Sequence, residues 1–139
     1  MARHAPPTKQ PDDLTLRSAR RARLEGWPTT RLWPTLRDGR FAPSYALRIE
    51  TEGKVLTYSG DTEWVDELIP AGRGADLFIC EAYFFDKVMK YHIDYSTLAR
   101  RLPDIGARRT IVTHMSAELL GRQGEIALEA AHDGLVVEF

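Results

Sequence analysis

A chain of 139 residues has the size of one domain with one modest core, and its 43% hydrophobic content and formal net charge of -1 suit an ordinary soluble fold. No run approaches about 18 apolar residues, which excludes a membrane-spanning helix, and the N-terminus has no apolar stretch of the kind a secretory signal needs. The single cysteine, Cys80, cannot close an internal disulfide, so the expected compartment is the reducing cytoplasm.

The average hides a split. Residues 1–40 hold nine Lys and Arg against four Asp and Glu, a balance of +5, which leaves -6 for the other 99. The same forty residues contain no Val, Ile, Phe, Tyr or Cys and five of the eight prolines, a composition that predicts neither a strand nor a sealed core. The expected organisation is therefore a basic, Pro/Arg-rich segment over 1–40, poorly ordered or foreign to the fold, and a folded domain over 41–139. Residues 17–25 could form a short basic helix, read first as a solvated charge run and second as a nucleic-acid contact. Trp27-Pro28 and Trp33-Pro34 favour extended or turn geometry.

After Arg40 the pattern becomes regular. Residues 45–50 alternate apolar and polar, Glu52-Gly53 supplies a turn, and residues 54–58 read as the second arm of a hairpin. Ser59-Gly60-Asp61-Thr62 breaks that strand. The spacing of Trp64, Val65, Leu68 and Ile69 predicts a helix from Glu63 to Ile69, stopped by Pro70 with Gly72 and Gly74. Residues 77–80 form a short apolar run, the mark of a strand buried on both faces. Asp94 or Ser96 can cap a helix running to Leu102 and ended by Pro103. Residues 110–113 predict another buried strand, and Ser116 can cap a short helix to Leu120. Residues 125–131 have helix-forming composition, yet Asp133-Gly134 before Leu135-Val-Val-Glu-Phe favours strand, turn, strand. Alternating strands and helices indicate an α/β layered sheet.

Three of these strands run into ligand-capable residues: 54–58 into Asp61, 77–80 into Glu81, and 110–113 into His114. Sites in open α/β sheets gather at the carboxyl ends of strands, so two carboxylates and an imidazole there form a metal-site candidate. A neutral imidazole binds zinc or a similar ion, and a carboxylate can offer one oxygen to each metal of a pair. Each residue also has a plainer reading. Asp61 or Thr62 could cap the helix that follows, His114 could be a structural histidine, Glu81 could pair with a base, and His92 could be a surface residue. Cys80, inside an apolar run, reads as a small core hydrophobe.

The order of these pieces carries more than any one of them. Tyr58-Ser-Gly-Asp-Thr62, Ala75-Asp-Leu-Phe-Ile-Cys-Glu-Ala82, Tyr91-His92 and Thr110-Ile-Val-Thr-His-Met-Ser116 together resemble the second half of metallo-β-lactamase-fold hydrolases. The ribonuclease Z-like and phosphodiesterase-like branch is the nearest, over residues 43–139. The resemblance implies the C-terminal half of an αββα four-layer fold and a site with two zinc ions, manganese or iron being alternatives. It gives Asp61 the role of bridging two metals and His114 that of binding one. Glu81-Ala82-Tyr83 and His92-Ile93-Asp94 match the branch's Glu-Ala-Thr and His-Ser-Thr, implying that His92, supported by Glu81, moves a proton to the leaving group. Both motif threonines are replaced here, which points away from tRNA 3′-end processing and toward a related phosphoester or general hydrolase acting through a metal-bound hydroxide.

The family's His-x-His-x-Asp-His motif has no counterpart among the four histidines, His4, His92, His114 and His132. The expectation is a truncated product that binds metal weakly or not at all on its own. Its exposed sheet face would be covered by a second copy or a complementary chain. A catalytically inactive remnant is the alternative, and nucleic-acid binding through residues 1–40 the third reading.

Overall fold

Alternating side chains on either side of a Glu-Gly turn make a hairpin the least costly local structure for residues 44–58. The computed structural model describes residues 29–36 and 44–139, and there the hairpin is present as β2, Ser44–Thr51, and β3, Lys54–Tyr58. Glu52 and Gly53 turn between them with φ of 49° and 77°. β2 also pairs antiparallel with β1, Thr29–Leu36, whereas β3, β4 (Leu77–Glu81), β5 (Thr110–Thr113) and β6 (Glu129–Ala130) are parallel neighbours. The six strands lie in chain order across one sheet.

β1 overturns the expectation that the first forty residues build no strand. Thr29 and Thr30 are β-branched, Leu32 pairs with Leu47, and Trp33 with Ala46. Pro34 is tolerated because β1 is the edge strand, where a missing N–H costs no ladder bond on the open side. The register shifts between Pro34 and Leu36. The boundary near Arg40, the basic run at 17–25 and Trp27-Pro28 lie outside the described residues.

The helices carry two further corrections. The first, α1, spans Leu68–Gly72 rather than starting at Glu63, and Pro70 lies inside its first turn instead of stopping it. The first backbone N–H groups of a helix have no intrahelical acceptor, so proline there gives up nothing. α2, Tyr95–Ile105, runs through Pro103 and ends at Gly106, whose φ of 65° and N–H to the Leu102 carbonyl close it. Burial of Ile105 against α1 and the Gly106 cap offset the roughly 3 kcal/mol that an interior proline costs. Asp94 caps α2 through the Thr97 N–H at 2.8 Å. α3, Ala117–Gly121, is capped by Ser116 as its sequence predicts. In the tail the turn at Asp133-Gly134 forms, with Leu135 N–H donating to the His132 carbonyl, but the only strand is the two-residue β6 before it. Residues 135–139 make no strand.

Register sorts the sheet into two faces. Ala46, Thr57, Phe78, Cys80 and Val112 lie on the helix side, where they pack with Leu68, Ala71, Leu98, Ile105 and Leu119 into the core. On the opposite side Leu32, Leu47, Tyr58, Ile79 and Ile111 are consecutive register partners, one row running across five strands.

Candidate metal and acid–base site

Because β3, β4 and β5 are parallel, their carboxyl ends share one edge of the sheet, and the residues that follow each strand meet there. After β3, Gly60 turns the chain with φ of 64°, and a Cβ at that position would lie 3.0 Å from the Tyr45 carbonyl oxygen. Only glycine takes both the conformation and the close approach without strain. After β5, His114 itself adopts φ of 57°, a left-handed conformation that is costly for a residue with a side chain and recurs at functional sites. His92 follows Tyr91, another left-handed residue with φ of 72°.

Glu81 is the centre of the cluster and is fully buried. Its Oε1 accepts the Thr62 N–H, and its Oε2 lies 2.8 Å from His92 Nδ1 and 3.2 Å from His114 Nδ1. Asp61 Oδ1 stands 3.2 Å from the same His114 nitrogen. Exposure rises outward, from Glu81 at 0% through His92 at 19% and His114 at 39% to Asp61 at 57%, so the cluster opens to solvent on the Asp61 side. Burial pushes the Glu81 carboxyl above the usual carboxylate range, and the hydrogen bonds from His92, the Thr62 amide and His114 oppose that shift. The Ser59 hydroxyl oxygen accepts the Glu81 N–H at 3.0 Å, which ties the loop after β3 to the end of β4.

All four residues singled out in the sequence, Asp61, Glu81, His92 and His114, are brought together. The capping alternative for Asp61 or Thr62 fails, because α1 begins only at Leu68 and its cap position is Glu67. Cys80 is buried as expected, and its burial pushes the thiol up to about 12. Sequence reasoning missed the part played by Tyr83. Its ring stacks on His92 at 4.6 Å with 23° between the planes and meets His114 edge-on at 5.4 Å. Its N–H donates to the Ile93 carbonyl and its carbonyl accepts from the Ser116 N–H, so one residue ties down both histidine-bearing loops. The only signal was its position two residues after Glu81, in place of a smaller residue. The Thr62 amide was equally invisible, since a backbone donor leaves no mark in composition.

Two imidazoles and two carboxylates within reach of one another are the donor set that divalent zinc and similar ions take, and this chemistry fits a cation at the strand edge. Among the described residues no helix is long and apolar enough to cross a membrane.

Comparison with known proteins agrees with this geometry. The ribonuclease Z of Myxococcus xanthus is 34% identical over 120 residues, covering 75% of this chain and 39% of that protein. The metallo-β-lactamase fold protein YhfI from Bacillus subtilis superposes with a TM-score of 0.65 at 23% identity, over 81% of this chain and 49% of its own. The short form of human tRNase Z gives 0.64 at 19% identity, over 84% and 45%. The chain thus spans about half or less of the length of the relatives it matches. The family model described as "Beta-lactamase superfamily domain" matches residues 11–115, and with these likenesses it establishes that the chain belongs to the β-lactamase superfamily and carries part of the metallo-β-lactamase fold.

Proposed function

We propose that this chain contributes to a metal-dependent phosphoester hydrolase, supplying part of its metal centre and its proton-handling pair. The observation that carries this reading is the convergence of Asp61, Glu81, His92 and His114 at one strand edge, with both histidine Nδ1 atoms on a single carboxylate oxygen. Asp61 and His114, the two most exposed members, would hold metal, zinc being the ion their donor types suit best. When bound, such ions lower the pKa of a water and stabilise the charge of an in-line displacement. Glu81, desolvated and fixed by the Thr62 amide, orients His92, and Tyr83 holds the other side of that ring. His92 is then positioned to give a proton to the departing oxygen.

The test is turnover of an activated phosphodiester such as bis(p-nitrophenyl) phosphate with zinc or manganese supplied. Turnover abolished in Asp61→Ala and reduced about 10²–10⁴-fold in His92→Ala is the expected result. Turnover that persists in Asp61→Ala would overturn the assignment.

A second reading, that the chain acts only when joined to another copy or to a complementary chain, is favoured by the apolar row Leu32, Leu47, Tyr58 and Ile79. Leu32 is 48% exposed and the others are half-buried, on the sheet side away from the described helices. On this reading the two-ion centre stays weakly filled or empty in the isolated chain, because Asp61 and His114 are two ligands where a catalytic zinc takes three. Fewer than two metal ions per chain and no turnover from the chain alone are its expected outcome.

A further inference from the structure

We propose that the isolated chain holds one divalent cation in a mononuclear site formed by Glu81, His92 and His114, with Asp61 as the fourth donor. The inference takes Asp61 and His114 from the reading above and recruits Glu81 and His92 as ligands, a set that needs no histidine from outside this chain.

The spacing supports it. Four tetrahedral donors bound at about 2.0–2.2 Å lie roughly 3.3 Å from one another. His114 Nδ1 stands 3.2 Å from Glu81 Oε2 and 3.2 Å from Asp61 Oδ1, so two of the pairs already have this separation. His92 Nδ1 to Glu81 Oε2 is 2.8 Å, which must open by about 0.5 Å to reach that spacing. Glu81, His92 and His114 each offer a ligand atom within 4.8 Å of the others. They come from the ends of β4 and β5 and from the stem of the loop between β4 and α2, three independent supports that converge without a shift of any strand.

The charge balance supports it as well. Glu81 is a fully buried carboxylate whose neighbours on Oε2 are two imidazoles, and buried charges are ordinarily neutralised by a partner or a metal. A divalent ion would give that carboxylate a full counter-charge, with each imidazole binding through Nδ1. The outer support is in place: the second Glu81 oxygen is held by the Thr62 amide, the Glu81 backbone by Ser59, and the His92 ring by Tyr83. Ligating carboxylates and imidazoles are usually fixed in this way. The exposure of His114 and Asp61 gives an ion a way in.

For His92 the two roles exclude each other at any moment, since a ring whose Nδ1 binds an ion does not share a proton there with Glu81. The site is thus a state of the chain by itself.

The experiment is titration of the metal-free 139-residue chain with Co²⁺, followed by visible absorption and calorimetry. One equivalent with the intense bands of four-coordinate cobalt is expected, weakened more than about 10-fold in each of Glu81→Gln, His92→Gln and His114→Gln and unchanged in His4→Ala and His132→Ala. His92→Gln, at a partly exposed position, keeps the test open should the buried Glu81 variant fail to fold. If Glu81→Gln and His92→Gln bind cobalt like the parent while Asp61→Asn and His114→Gln lose it, the inference fails and the hydrolase reading stands. No saturable binding by the parent chain also overturns the inference, while leaving untouched a hydrolase centre completed by another chain. Binding that survives in His114→Gln and Asp61→Asn but vanishes in His4→Ala or His132→Ala refutes both the new site and the assigned metal ligands.

Discussion

Gly60 and Cys80 show how single atoms decide what a position tolerates. A methyl group at Gly60 meets the Tyr45 carbonyl oxygen at 3.0 Å in a backbone conformation that disfavours it, with φ of 64°. Gly60→Ala should therefore cost about 1–2 kcal/mol in urea unfolding and swing Asp61 away from His114, weakening metal binding in parallel. Unchanged stability would mean the loop adapts freely. Cys80 is sealed between the sheet and the helices, so 5,5′-dithiobis(2-nitrobenzoic acid) should label it only when the protein opens, at a rate that rises with urea. Immediate stoichiometric labelling without denaturant would contradict its placement in the core. The candidate site was legible at this scale where a side chain of distinctive chemistry follows a strand: Asp61, Glu81 and His114 each close one. What stayed hidden was the work of ordinary groups, the Thr62 amide, the Ser59 hydroxyl and the Tyr83 ring, which acquire their roles only through the fold.

Elements with a strong local period were readable, and those shaped by tertiary contact were not. The β2–β3 hairpin has both alternation and a turn, β4 carries the apolar run Leu77–Cys80, and β5 sets Ile111 and Val112 between β-branched threonines. α1 misled because Trp64, Val65 and Ile69 pack on the core at helical spacing while residues 62–65 are irregular and 66–67 form a turn. β1 was hidden because its edge position tolerates a proline that an internal strand would not. The α1–α2 contact offers a direct test of packing between elements. A Cβ at Gly72 would lie 2.5 Å from Ile105 Cγ2, closer than any real contact, so Gly72→Ala should destabilise by about 1–3 kcal/mol. Ile105→Ala removes that methyl, so the double variant should be more stable than the sum of the two changes predicts, by about 0.5–3 kcal/mol. Strict additivity in thermal or urea unfolding would place Gly72 away from Ile105.

At the scale of the molecule the described helices pack on one face of the sheet, and an apolar row crosses the other. Helices sit against Phe78, Cys80 and Val112, while Leu32, Leu47, Tyr58 and Ile79 form the opposite row. A contiguous apolar patch on a protein surface generally marks an interaction site, because water contact with it is unfavourable at about 25 cal/mol per Å². The occupant of such a flat, pleated surface is best another sheet, since two sheets pack face to face with their side chains interdigitated. A second copy of this chain carries that surface already. Sedimentation of the purified chain should then give a mass that rises with concentration toward a dimer. Leu47→Lys should hold it monomeric without changing its circular dichroism, because Leu47 is half-buried and outside the core cluster, where a lysine stem can lie along the sheet and keep its charge in water. A chain that sediments as a monomer at every concentration, with or without the substitution, would exclude self-pairing and leave a complementary chain as the occupant.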